Sequence, residues 1–497
     1  MFGLGSQEIS LTLKAIGRRK SHVNRTALLA GAVCVALVIA AAGYFALNPG
    51  TAKNTTGQTK TNAFASSSQS VTSTSAGCDQ AESSYARGWT TYHGNNSRSG
   101  YVAAAVVCPK EGWKSAALDG EVYAEPLVYD GMVLVATEND SVYALNATSG
   151  FILWRTNLGT PVPGSALPCG DISPSGITGT PVIDQTTDTI YVVAFQTPGE
   201  HYLVAVDVKD GGVRFSQLAD PLGSDPLVQQ ERGALSFGNG RVYIPYGGLD
   251  GDCGDYHGWV VGLNADGSGG MISYEVPSQR EAGIWAPSGG AMDSSGDLFV
   301  ATGNGASDGA FDYGNSVVEL SPSLRPLGYF APTDWPQLNQ GDTDLGSVGP
   351  AFVNQSVLFQ IGKEGVGYLL NSANLGGIGG QEFSEQVCSS SFGGTAVSGS
   401  TVFVPCTDGL VALLVSSNSF QVLWKDSGFP SGPPIVTGKV VWGLDTSSGV
   451  LNGYNSSTGA GLFTFNVGGA TRFTTPSVGD GSVFVAAGEY LYSFQLS

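Results

Sequence analysis

Charge is scarce in this 497-residue chain: only 13 % of residues are Asp, Glu, Lys or Arg. Basic residues are scarcer still, with 22 Lys and Arg against 41 acids, a formal net charge of −19. Such a surface repels phosphate backbones, which excludes nucleic acid as a partner class. Histidine is limited to four residues, and no H-E-x-x-H motif, phosphate-binding loop, dinucleotide fingerprint or nucleophile elbow occurs. The seven cysteines include no adjacent pair and no C-x-x-C-H haem signature, and their spacing fits none of the usual zinc patterns. What abounds is glycine, 72 residues without a collagen-like period, as expected for many short strands joined by tight turns.

The one long apolar run is Ala27–Leu47, "ALLAGAVCVALVIAAAGYFAL", which carries no charge and is long enough to span a bilayer as a helix. Lys14, Arg18, Arg19, Lys20 and Arg25 precede it, so residues 1–26 read as a cytoplasmic tail and the bulk of the chain as extracytoplasmic. A cleaved signal peptide competes with an uncleaved anchor, but the run is longer than a signal core and lacks a clean small-x-small exit. Residues 48–77 are rich in Ser, Thr, Asn and Ala and read as a disordered stalk. Beyond the anchor stand Cys78, Cys108, Cys169, Cys253, Cys388 and Cys406, an even number in an exported domain and hence a disulfide set. Six cysteines allow fifteen pairings. Pairing of neighbours gives 78–108, 169–253 and 388–406.

From residue 119 one pattern recurs. Its clearest copy, Tyr123–Gly159, breaks into the runs AEPLVY, MVLVAT, SVYALN and FILWRT, separated by turn signals, and reads as a four-stranded antiparallel meander. Further copies begin near Gly179, Arg232, Trp285, Gly349, Gly394, Gly432 and Thr475, spaced as in a propeller. The fold class is therefore all-β, an eight-bladed β-propeller over residues 119–497. The last copy stops after three strands. Gly112–Gly120, "GWKSAALDG", at the end of the lead-in segment 78–118 and just beyond it, resembles the outer-strand endings "LWRTNLG" and "LFTFNVG" and supplies the missing strand, leaving no open sheet edge.

The repeat "VYALNATSGFILWRTNLG" resembles the pyrroloquinoline-quinone (PQQ) repeat, and "WTTYHGNNSRSGY" (Trp89–Tyr101) is similar to the lead-in of that superfamily. The resemblance implies the eight-bladed propeller of quinoprotein alcohol dehydrogenases and of the cofactor-free outer-membrane assembly propeller. In the dehydrogenases PQQ lies in the central funnel on a tryptophan, beneath a vicinal Cys-Cys ring, beside Ca²⁺ held by Glu and Asn, with an Asp as base. Matching segments imply Trp285 as the floor, Asn304 as a calcium ligand, Asp342 or Asp344 as the catalytic base, and Lys363 as the cofactor contact. This sequence departs at the absent Cys-Cys pair. It also places Asp252, Cys253 and Asp255 near the expected calcium glutamate.

The propeller itself makes the funnel the shared pocket, because all inner strands converge on the axis. Tyr123, Glu125, Arg232, Trp285 and Arg472 stand at strand entrances facing it, and the loop with Asp252, Asp255 and His257 overhangs it. Asp250, Asp252 and Asp255 read either as a Ca²⁺ clamp or as turn formers beside glycine. His257 reads either as a base or ligand or as a packed loop residue, and His93 and His201 as structural. Two functions follow. One is a membrane-anchored, cell-surface propeller that binds a small molecule, glycan or protein, or serves as a scaffold. The alternative is a PQQ- and calcium-dependent dehydrogenase of alcohols or sugars.

Overall fold

Short β-rich runs cut by two-residue turns leave each repeat little choice but a hairpin meander. At Asp130-Gly131, Asn239-Gly240 and Asp480-Gly481 both turn residues have positive φ. That is the type I′ geometry that matches strand twist, and it favours Asp or Asn followed by Gly. The computed structural model describes residues 88–497 except Asp308. It contains eight sheets built on four-stranded antiparallel meanders, an eight-bladed β-propeller. Blade 1 comprises Leu127–Tyr129, Met132–Thr137, Ser141–Asn146 and Ile152–Asn157. Its second strand is wholly buried, whereas the outermost alternates between exposed and half-buried residues, as befits an edge with one packed face.

The ring closes as the sequence implies. Lys110–Lys114 is the fourth strand of the last blade, antiparallel to Tyr490–Gln495, with Lys110 opposite Gln495 and Lys114 opposite Tyr492. This segment overlaps the expected Gly112–Gly120 and begins before it. Trp113 packs 5.8 Å from Phe484 in the same blade, and its indole donates to Ala147 O of blade 1 at 3.0 Å. Trp154 and Trp424 repeat this contact, donating to Val208 O and Ser456 O of the following blades. A glycine makes room each time: a Cβ on Gly150 would come within 2.4 Å of Trp113. The repeat's Gly and Trp are thus two halves of one blade-to-blade joint.

The lead-in segment stops the channel. Gly88 and Trp89 pair with Tyr129 and Val128 of blade 1, and Thr90 O accepts Ile183 N of blade 2. Asn96 Nδ2 then donates to Phe237 O of blade 3, and Asn96 O accepts Met292 N of blade 4. Ser97 O, Ser99 O and Gly100 O accept Phe352 N, Val397 N and Val436 N of blades 5, 6 and 7, and Val107 N donates to Leu496 O of blade 8. This stretch thus touches every blade in order. Arg98, fully buried, fixes its centre with five hydrogen bonds to Thr91, Tyr92, Leu235, Ser236 and Gly290. The funnel is therefore blind at one end.

Disulfides join Cys169 to Cys253 and Cys388 to Cys406. Cys108 is also disulfide-bonded. Its expected partner Cys78, the tail, the anchor 27–47 and the stalk lie outside the described residues. Among the described residues no helix is long and apolar enough to cross a membrane.

Candidate functional site

Residues just before the inner strands surround a cavity of about 450 Å³ at the open end of the funnel. Tyr123, Arg232, Trp285, Arg472, Lys363, Asp342, Asp344, Asp250 and Asp252 line it, together with Asp171, Tyr256, Phe392 and Phe473. Trp285 is half-buried rather than packed in the core, so part of its ring faces the cavity. Phe473 meets it edge-on at 6.3 Å.

Lys363 stands over Trp285 with Nζ 5.8 Å from the ring centre. The same Nζ pairs with Asp342 Oδ1 at 2.8 Å and Asp344 Oδ2 at 2.7 Å. Burial disfavours the lysine charge, but the two carboxylates outweigh it and hold its pKa above the usual value. Asp344 is nearly inaccessible, and its other oxygen accepts Asn304 N at 2.6 Å. Burial pushes its carboxyl up, and Lys363 pulls it back only in part. The loop geometry follows from Asn315 and Asn339. Asn315 Oδ1 takes Leu345 N at 2.7 Å, and Asn339 Oδ1 takes Gly305 N at 2.9 Å, with Asn315 Nδ2 donating to Asn339 Oδ1.

The rim is acidic and pinned. The Cys169–Cys253 disulfide ties the loop carrying Asp171 to the loop carrying Asp250 and Asp252. Asp252 accepts the Tyr256 hydroxyl, whose pKa rises through burial and that neighbour.

Other named residues fall elsewhere. Glu125 lies below the cavity, fully buried, accepting Trp89 Nε1 and His93 N at 2.8 Å each. His93 and His201 are buried, His93 Nδ1 bonding Thr395 O and His201 Nδ1 bonding Asp220. Asp255 is exposed and His257 stands 4.0 Å from it and 3.8 Å from Glu275, neither lining the cavity. Asn304 turns its carboxamide to Glu281 Oε2 at 3.2 Å, away from the lining. Glu281, which forms an ion pair with Arg280, escaped the sequence reading, as did Phe392 and Phe473. The two phenylalanines lie four residues before the inner strands Ala396–Ser398 and Ser477–Gly479, in the same approach to a strand that carries Trp285 in its own blade, which is the signal that marks them.

Several proteins share this architecture. A family model described as outer membrane protein assembly factor BamB matches residues 109–246. The quinohemoprotein alcohol dehydrogenase from Comamonas testosteroni is 16 % identical with a TM-score of 0.63, covering 82 % of this chain and 80 % of that one. A europium-containing methanol dehydrogenase is 13 % identical with a TM-score of 0.64, over 82 % and 98 % of the two chains. BamB from Moraxella catarrhalis is 16 % identical with a TM-score of 0.53, over 78 % and 99 %. Among curated proteins none matches the chain in sequence. The class is thus an eight-bladed β-propeller with a blind, aromatic-floored funnel. More particularly, residues 109–246 match the PQQ-repeat family model, and the propeller has the fold of the quinoprotein alcohol dehydrogenases.

The donors around the funnel do not fit the calcium ion that the resemblance implies. Asp342 and Asp344 already share Lys363, and Glu281 is neutralised by Arg280. Among the described residues the one trio of acidic, His or Cys side chains close enough to share an ion is Cys388, Cys406 and Asp408, and its cysteines are joined as a disulfide. A flat polyanion such as PQQ suits the aromatic floor and its cations better than a metal suits the carboxylates.

Proposed function

We propose that this protein is an extracytoplasmic binding protein, tethered by residues 27–47, whose funnel receives a ring-shaped small molecule. The observation that carries the reading is the half-buried Trp285 with Lys363 above it and Phe473 at its edge, an aromatic platform inside a blind cavity. Disulfides 169–253 and 388–406 support an oxidising location. Protease treatment of intact cells should release the propeller; its protection until lysis would place it inside.

The test uses the full chain and PQQ as a flat polyanionic probe, with binding followed by calorimetry with and without Ca²⁺. Uptake independent of Ca²⁺, weakened about tenfold or more in Trp285→Ala, is the expected result. Absence of uptake by the wild type, or equal uptake by the variant, would remove Trp285 as the platform.

A second reading, a quinone-dependent dehydrogenase, is favoured by one observation: Trp285, Lys363 and Asp344 share a single cavity. Against it, Asp344 is held by Lys363 and Asn304 N, and the calcium donors are taken. Dye reduction with alcohols or sugars that requires both PQQ and Ca²⁺ and vanishes in Lys363→Ala would establish it over simple binding.

A further inference from the structure

One wall of the funnel mouth is fastened rather than folded in place. Residues 163–174, "PGSALPCGDISP", lie in the connection from blade 1 to blade 2, and of that stretch only Ile172 is buried. Its neck is a pair of hydrogen bonds between Val162 and Ser175, 3.0 and 2.9 Å long. Beyond the neck the hydrogen bonds close on the loop itself. Ala166 N donates to Pro163 O, Leu167 N to Gly164 O, and Gly164 N to Ser173 Oγ. Among the described residues no backbone hydrogen bond crosses to the facing loop, 249–255. The tie that does cross is the Cys169–Cys253 disulfide.

The facing loop has anchors of its own. Asp252 N donates to Leu249 O, the Tyr256 hydroxyl donates to the Asp252 carboxylate, and Arg280 Nη2 donates to Asp252 O at 3.3 Å. Both loops line the cavity, one through Asp171 and Ile172, the other from Leu249 to Asp252. A stretch with one buried side chain and few outside hydrogen bonds opens at little free-energy cost once its covalent tie is cut. The two disulfides also differ in access. Cys169 and Cys253 are half-buried on the rim, whereas Cys388 and Cys406 are 6 % and 1 % exposed inside a hydrophobic cluster. Thiol–disulfide exchange requires an attacking thiolate to reach a sulfur, so the rim disulfide is the one open to it.

We propose that residues 163–174 form a strap across the funnel mouth, latched by Cys169–Cys253 and released when an external dithiol reduces that bond. One thiolate of the dithiol forms a mixed disulfide with Cys169 or Cys253 and expels the other cysteine as a thiolate. The second sulfur of the dithiol then displaces the captured cysteine. The products are two cysteine thiols, which take up the dithiol's two protons, and the oxidised reductant. In oxidising surroundings the strap is closed. Contact with a dithiol lets Asp171 and Ile172 swing off the cavity wall about the Val162–Ser175 neck. The device governs access to the cavity and not what binds there, so it stands or falls without any uptake of PQQ.

The experiment treats the full chain with limiting dithiothreitol, traps free thiols with N-ethylmaleimide and locates them by mass spectrometry. Cys169 and Cys253 should be labelled at least about tenfold faster than Cys388 and Cys406. Hydrogen exchange is then followed on the partly reduced protein. The amides of residues 164–172 should exchange at least about tenfold faster than in the oxidised protein, with loop 249–255 and the strands of blades 1 and 2 unchanged. Acrylamide quenching of Trp285, taken as the difference from Trp285→Phe, should steepen on reduction. Equal labelling of the two disulfides, unchanged exchange in the strap, or unchanged quenching would each overturn the latch. Faster exchange throughout the blades would overturn it too, because the disulfide would then be a staple for the whole fold. The paired variant Cys169→Ser, Cys253→Ser should reproduce the reduced state without reductant, which separates the effect from reduction at Cys108. If the paired variant does not fold during synthesis, the wild type reduced after folding, with Cys388–Cys406 still closed, decides.

Discussion

Asp140 is a buried acid with little to hold its charge, and its neutralisation should reverse part of the protein's pH dependence. It lies in the turn between the second and third strands of blade 1, at φ 52° and 0 % exposure, and neither carboxylate oxygen has a hydrogen-bond partner. Burial, reinforced by Glu138, raises its pKa from the ordinary 3.8 to about 8. In the unfolded chain the proton leaves near 3.8; in the folded protein it stays until about pH 8. Between those limits the folded state binds more protons, so stability falls as pH rises, by about 1.4 kcal/mol per pH unit for one such group. A salt-bridged aspartate would show the opposite sign. Asp140→Asn keeps the shape, tolerates the left-handed backbone and cannot ionise. Relative to wild type, the variant should therefore gain about 3 kcal/mol between about pH 5 and pH 7. Urea denaturation of both proteins at those two pH values measures the difference, and every other titrating group common to both cancels. Parallel stability profiles would refute the assignment of a protonated Asp140 in the folded state.

Two further outcomes follow from the ring and the site. Gly150→Ala places a Cβ 2.4 Å from Trp113 at φ +71°, whereas Gly131→Ala, at φ +76°, meets nothing within 4 Å. The first should cost about 2 kcal/mol more than the second in thermal melts, and equal losses would show that the Trp113 joint adds nothing to closure. Lys363→Met leaves the buried Asp344 without its counter-ion, which should cost about 3 kcal/mol near neutral pH. Without Lys363 the Asp344 pKa rises further, so the loss should shrink as pH falls and the carboxyl takes a proton; a pH-independent loss would contradict this.

The ring was legible because its signals are local and repeated. The type I′ turns, the alternating outer strands and the Gly–Trp joint each appear in several copies, and the count of eight and the N-terminal closing strand follow from them. Cys169–Cys253 and Cys388–Cys406 are sequence neighbours, and the blades bring them within reach. The site was legible where a residue stands just before an inner strand and so opens onto the axis, as for Trp285, Arg232 and Arg472. It failed where side-chain rotation decides. Asn304 is close to Asp344 through its backbone but sends its carboxamide to Glu281. Glu125 stands only two residues beyond Tyr123, yet its carboxylate accepts Trp89 Nε1 and His93 N and does not line the cavity. Asp255 and His257 share a loop with Asp252, yet Asp255 faces solvent, His257 is half-buried beside it, and neither lines the cavity.

The lead-in stretch that stops the channel also dictates the order in which the protein can be completed. It is made before any blade, yet its partners arrive across almost the whole chain, Tyr92 finally meeting Thr475. Such distant pairings are slow to find and leave apolar surface uncovered while synthesis proceeds. Truncation anywhere before the last hairpin would forfeit the closing strand's partner as well as late anchor points of this stopper, so a shortened chain should accumulate as an unfinished ring rather than as a smaller working one.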